Sequence, residues 1–176
     1  MLHLFRQAAG LTQSRYNRLF KYISDLPRIG LDSSDNVVFI DDFSGTGTQI
    51  LNSWTTIREL VGDKPNLFLL LIAAPDKTVQ SIEDNTAFTV RSDRILTEGD
   101  NIFSKQCRYF NTNEKAILEY YCKKASKKEP KGFGGCGLLI VFHHGCPNNS
   151  IPILHANNNK WSGLFKRYDF ASRKNL

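Results

Sequence analysis

The chain has 176 residues, 41% hydrophobic and 23% charged, enough for one domain with a substantial core. Those fractions exclude a disordered chain, a coiled coil and a collagen-like repeat. Lysine and arginine number 23 against 17 acids, and the net charge of +6 favours phosphate-rich partners.

Taken in chain order, residues 14 to 26 place Tyr16, Leu19, Phe20, Tyr22 and Ile23 at spacings of three and four. That pattern predicts an amphipathic helix ended near Pro27. Val37-Val38-Phe39-Ile40 is a short, continuous apolar run, the mark of a parallel strand buried on both faces. A helix is expected over Thr48 to Leu60, broken at Gly62 and Pro65, and a second buried strand over Leu67 to Ala74. A short helix over Thr78 to Asn85, a strand over Phe88 to Ile95 and a helix over Glu114 to Lys124 follow. Gly137 to His143 and Ile151 to Leu154 are read as further strands. Alternating strands and helices of this kind predict an α/β fold with a mostly parallel sheet flanked by helices. The expected organisation is a single domain, 1–176: a helical amino-terminal part (1–36), an α/β core (37–155) and a basic carboxyl-terminal tail (156–176). Because no strand is read before Val37, the sheet is expected to lack amino-terminal strands that related folds carry. Self-association or a protein partner would then cover the exposed edge.

The segment with chemical content is residues 37–50, V-V-F-I-D-D-F-S-G-T-G-T-Q-I. A strand ends in two adjacent aspartates, and a glycine- and threonine-rich loop opens a helix. In open α/β sheets ligands bind beyond the carboxyl ends of the strands, where Asp41 and Asp42 stand. Glycines let backbone amides approach a ligand, and a helix amino terminus offers unpaired N–H groups to a phosphate. No lysine follows the glycines, so this is not a Walker loop.

The segment resembles the phosphoribosyl pyrophosphate motif of type I phosphoribosyltransferases: four apolar residues, two acids, then a Thr/Gly loop. The carboxyl-terminal stretch G-F-G-G-C-G-L-L-I-V-F-H-H-G-C-P-N-N-S-I-P-I-L-H-A, with Trp161 and Leu164-Phe165 after it, narrows the likeness. It is similar to phosphoribosyltransferase-like domains associated with bacterial conflict and phage-defence systems. The resemblance implies that Asp41 and Asp42 contact the ribose hydroxyls, and that Ser44, Gly45, Thr46, Gly47 and Thr48 wrap the 5′-phosphate. It further implies a Mg2+ ion as cofactor, phosphoribosyl pyrophosphate or a nucleotide as ligand, and a pocket wall drawn from His143, His144, Asn148 and Asn149. The upstream pyrophosphate loop of the transferases has no clear counterpart. Arg6, Arg15, Arg18 and Lys21 are the cations available there. Two alternatives stand beside transfer: an inactive nucleotide-sensing or scaffold subunit of a defence complex, and an S-adenosylmethionine-dependent methyltransferase. The latter is suggested by Asp41-x-Phe43-x-Gly45-x-Gly47, although no Asn/Asp-Pro-Pro-Tyr/Phe tetrapeptide accompanies it.

Other clusters carry less. His143, His144, Cys146 and His155 do not match a structural zinc pattern, and no metal site is expected from them. Cys107, Cys122, Cys136 and Cys146 contain no Cys-x-x-Cys pair and are read as reduced structural thiols. Lysines 123, 124, 127, 128 and 131 form one basic cluster; Lys160, Lys166, Arg167, Arg173 and Lys174 form another. Nucleic acid could meet these patches, but no aromatic residue interleaves with lysines 123–131 to stack bases, which favours a solvated loop. The longest apolar run, Leu67 to Pro75, is about half a membrane span, so no membrane association is expected. With no basic-then-apolar leader pattern at the start, the expected address is the cytoplasm.

Overall fold

The computed structural model describes residues 2–165, which pack as two compact units. The first runs to Ile95 and the second begins at Leu96. Lys166, Arg167, Arg173 and Lys174 of the second basic group lie outside the described residues.

The first unit opens with helix α1 (Leu2–Ala8) and two short 3-10 turns, Ser14–Leu19 and Ile23–Arg28. Strand β1 (Asn36–Phe43), helix α2 (Thr48–Val61), strand β2 (Asn66–Pro75), helix α3 (Asp76–Asn85) and strand β3 (Phe88–Leu96) follow. The sheet is parallel, in the order β1-β2-β3, with helices in the crossovers. Val37 lies opposite Leu67, Asp41 opposite Leu71 and Phe43 opposite Ala73. Because side chains alternate along a strand, Leu67, Leu69 and Leu71 share one face of β2 with Val37 and Phe39 of β1. On that face they pack with Ile57 and Val61 of α2, Ile82 of α3, and Phe88 and Val90 of β3. Phe39 meets Phe88 edge-on, ring centroids 5.2 Å apart, and Trp54 closes on the same ring at 5.4 Å.

Two expectations change here. The amphipathic helix over 14–26 is instead a pair of 3-10 turns joined through extended backbone at Phe20 and Tyr22. Leu26 alone of its apolar residues enters the core, while Leu19 and Tyr22 are 61% and 81% exposed, so packing gives little reason to hold a continuous helix. Strand β1 is not buried on both faces: Val38 is 45% exposed, and among the described residues β1 forms the sheet edge expected from the absence of earlier strands. Residues 2–35 contribute helical turns and no strand.

The second unit centres on helix α4 (Thr112–Ala125), the short helix α5 (Pro152–His155) and a small antiparallel hairpin, β4 (Asn157–Asn158) with β5 (Trp161–Ser162). Asn111 caps α4: its side chain accepts the N–H groups of Asn113 and Glu114, while Glu114 accepts the N–H of Asn111. The core is Ile102, Cys122, Cys146, Ile151 and Leu154. The four cysteines are free thiols, and burial pushes the Cys122 thiol up to about 11.

The strand expected over Gly137 to His143 does not form. Leu138 makes one isolated bridge to Ser150, after which the Ser150 hydroxyl takes over the role of a neighbouring strand. That hydroxyl donates to the Ile140 carbonyl at 2.6 Å, and the Ile140 N–H reaches the same oxygen at 3.3 Å. Phe142 and Gly145 then bond each other across a tight turn. The strand expected over Ile151 to Leu154 is helical instead, started by Pro152 at the first helical position, where a missing N–H costs nothing.

Candidate functional site

The loop at the carboxyl end of β1 is built by four consecutive elements of the first unit, β1, α2, β2 and α3. Asp41 is half buried, and its Oδ1 accepts the backbone N–H of Asp42 at 2.9 Å. Burial pushes the Asp41 carboxyl above the usual carboxylate range. The Asp42 side chain pushes the same way, against the lowering effect of the Asp42 backbone bond. A cation or a set of hydroxyl donors at this point would relieve that cost.

Beyond Phe43, the Ser44 N–H reaches the Ala73 carbonyl at 3.4 Å and carries the chain off the sheet. Ser44 is buried, so the loop is seated against the unit. Thr46 and Thr48 pair their hydroxyls at 2.8 Å, and the Thr48 N–H approaches Thr46 Oγ1 at 3.4 Å. Gly47 is the N-cap of α2, with a left-handed φ of 74° and no side chain to cover the helix amides. A Cβ there would stand 3.3 Å from Ile82 Cγ1 and 3.4 Å from Thr78 Cγ2. The left-handed backbone is what calls for glycine here, and a side chain would in addition crowd Ile82 of α3. A Gly47→Val substitution would consequently report on the loop's folding as much as on any phosphate.

One contributor was not legible in the motif. Thr78, buried in the first turn of α3, donates its hydroxyl to the Gly45 carbonyl at 2.6 Å. It lies far along the chain from the glycines, and no local pattern around it announces the contact.

Chemically, the loop offers two adjacent carboxylates, a pair of hydroxyls and a helix amino terminus within one turn of chain. Magnesium takes one or two protein carboxylates and fills the rest of its shell from water and substrate phosphates. Asp41 and Asp42 fit that donor set. Among the described residues no group of three acidic, histidine or cysteine side chains offers an all-protein cage.

The remaining expected site residues belong to the second unit. His143 is exposed in the turn between Phe142 and Gly145, and His144 stacks on Phe142 with centroids 5.5 Å apart. The Asn148 carbonyl accepts the Phe133 N–H at 2.7 Å. Asn149 is buried, and its amide donates to the Phe133 carbonyl at 3.2 Å and to Cys136 Sγ at 3.4 Å. Both asparagines thus hold the glycine-rich turn at 132–137 in place. Upstream, Arg6 donates to Asn17 Oδ1 at 2.6 Å and lies over the Phe20 ring, while Arg15 lies over Tyr16.

Comparison with known proteins bears on the same residues. No curated protein and no solved structure matches the chain. The family model PRTase-CE matches residues 1–167, a span that takes in the Asp41–Thr48 loop and the whole glycine-rich and Pro-Asn-Asn stretch. The chain belongs to the PRTase-CE family of phosphoribosyltransferase-like domains.

Proposed function

We propose that the protein binds a phosphoribosyl compound, phosphoribosyl pyrophosphate in the first instance, at the carboxyl end of β1, and transfers its phosphoribosyl group. The observation that carries this reading is the pair Asp41 and Asp42 set at a strand end directly before an uncapped helix amino terminus. The carboxylates would accept the ribose hydroxyls. The amides from Gly45 to Gln49, with the Thr46 and Thr48 hydroxyls, would take the 5′-phosphate, favoured by the positive end of α2. In transfer, the bond from ribose C1 to the pyrophosphate oxygen breaks, the electron pair leaves with pyrophosphate, and an acceptor's lone pair forms the new bond to C1. Fixing the ribose at both its hydroxyls and its phosphate holds C1 still for that in-line exchange. Magnesium, held by Asp41 or Asp42 together with the substrate, would neutralise charge on the leaving group.

A second reading, a nucleotide-sensing subunit of a defence complex, is favoured by one observation. Arg6 and Arg15 are engaged within their own segment rather than presented as a pyrophosphate loop.

Calorimetry with phosphoribosyl pyrophosphate and magnesium tests the first part. The Asp41→Asn, Asp42→Asn double variant should lose binding while melting cooperatively, and an unchanged affinity would remove the ribose role. Pyrophosphate release in the presence of candidate bases and nucleotides separates the two readings. Binding without release under every acceptor favours the sensor.

A further inference from the structure

Helix α4 buries Cys122 and Ala125 and turns two adjacent tyrosines outward. Tyr120 and Tyr121 are 55% and 44% exposed, with ring centroids 5.3 Å apart and planes at 76°. The β4–β5 hairpin brings a third ring. Trp161 stands 6.1 Å from Tyr121, fixed by its indole N–H on the Ile153 carbonyl at 3.3 Å. Asn158 ties the hairpin to α4 by donating to the Ala125 carbonyl at 2.9 Å. These rings are interleaved with cations. Lys124 Nζ sits 4.4 Å from the centroid of Tyr120 and 5.8 Å from that of Tyr121, and Lys160 is exposed in the hairpin turn beside Trp161. Lys123 is paired with Glu119 at 2.9 Å, whereas Lys127 and Lys128 extend the exposed basic run past the helix end.

From this arrangement we propose that the Tyr120–Tyr121–Trp161 surface binds single-stranded nucleic acid. The lysine stretch itself contains no aromatic residue; the fold supplies the rings from the preceding helical turn and from a distant hairpin. Two exposed tyrosines and a partly exposed tryptophan set among lysines offer what a single strand requires: stacking for unpaired bases and positive charge for the phosphates. Rings inclined to one another, at 76° and 48°, present separate faces to splayed bases, which a paired and stacked duplex cannot use. From Thr112 to Phe165 there are seven lysines against three glutamates, so the local charge is complementary to a phosphate backbone. The surface rests on residues other than those of the phosphoribosyl site.

The test is fluorescence anisotropy of the full chain with labelled oligothymidylate and oligouridylate of about twenty nucleotides, a length spanning typical single-strand sites. A duplex of equal length, heparin, and phosphatidylserine-containing vesicles serve as comparisons. Single strands should bind in preference to duplex, with affinity falling as salt rises. Tyr120→Leu with Tyr121→Leu should weaken binding roughly tenfold or more, and Tyr120→Phe with Tyr121→Phe should retain it. Lys124→Gln should lower the salt slope by about one. Equal binding of duplex or heparin that ignores the leucine pair would show a generic polyanion surface and overturn the proposal. So would binding to vesicles alone, or none at all. Should the leucine pair fail to fold, Lys124→Gln with Lys160→Gln decides, and full affinity in that variant overturns the assignment.

Discussion

The hydroxyl of Thr78 donates to the carbonyl of Gly45 at 2.6 Å, so the first turn of α3 holds the loop that follows β1. The bond spans the crevice end of the sheet and fixes the glycine segment before any ligand arrives. Thr78→Val keeps the side chain's shape and removes the donor, leaving the Gly45 carbonyl short of a partner. Stability should fall by about 1–2 kcal/mol, and affinity for phosphoribosyl pyrophosphate should fall several-fold. Thr78→Ser should restore both. Urea denaturation and calorimetry on the three chains check this, and a Val variant that binds as the parent does would sever the loop from Thr78.

Asp41 makes a prediction of opposite sign for stability and binding. Its carboxyl titrates above the usual range, chiefly because it is buried and also because Asp42 is adjacent. A carboxyl raised in the folded state binds protons more readily there than in the unfolded chain. It therefore favours the fold at acid pH, and that contribution is lost as pH rises through the raised value. Asp41→Asn removes the ionisation. Its melting temperature should exceed the parent's at neutral pH and converge with it toward about pH 3, while binding of phosphoribosyl pyrophosphate is lost. Melts across that range without ligand provide the measurement, and a variant less stable than the parent at neutral pH would contradict the stated cause.

What could be read from the sequence, and what could not, follows from the range of the interactions. β1, its loop and α2 are legible because Val37 to Ile50 carries strand pattern, carboxylates, glycines and helix start in one continuous run. β2, α3, β3 and α4 were placed within a few residues for the same reason: each has its own periodicity and its own stop signal. The failures are places where one distant side chain decides. Gly137 to His143 has the composition of a strand, yet the Ser150 hydroxyl occupies both backbone groups of Ile140 and ends the ladder after one bridge. The stripe over residues 14–26 has helical spacing, but Leu19 and Tyr22 stay mostly exposed. In the site, Asp41 to Thr48 lie in one continuous run and are readable together, whereas the buried Asn149 amide reaches back to Phe133 and Cys136. Spacing alone could not reveal that role.

Ser150 gives a direct test of that account. It is fully buried and serves Ile140 as donor and acceptor together. Ser150→Ala leaves both backbone groups of Ile140 without that partner, and should cost about 2 kcal/mol. Ser150→Thr restores the hydroxyl but adds a methyl group where no space remains, so it should not recover full stability. Denaturant unfolding followed by tryptophan fluorescence checks both, and an Ala variant within experimental error of the parent would show that the bonds carry little.

Neighbouring residues of β1 should respond in opposite ways. Phe39 points into the core and meets Phe88 edge-on at 5.2 Å; Val38 points to the other face and is 45% exposed. Phe39→Ala removes a ring from a packed cluster and should cost roughly 2–3 kcal/mol. Val38→Lys replaces a half-exposed methyl pair by a side chain whose charge can stay in water, and should change stability by no more than about 0.5 kcal/mol. The same pair reads the association expected for an uncovered edge. A lysine on an edge strand opposes pairing with another chain, whereas the core substitution does not act on the edge. Light scattering of the parent and the Val38→Lys chain under identical conditions distinguishes the cases. A parent assembly that dissociates on the substitution assigns the contact to β1, and a parent that is monomeric throughout removes self-association at this edge.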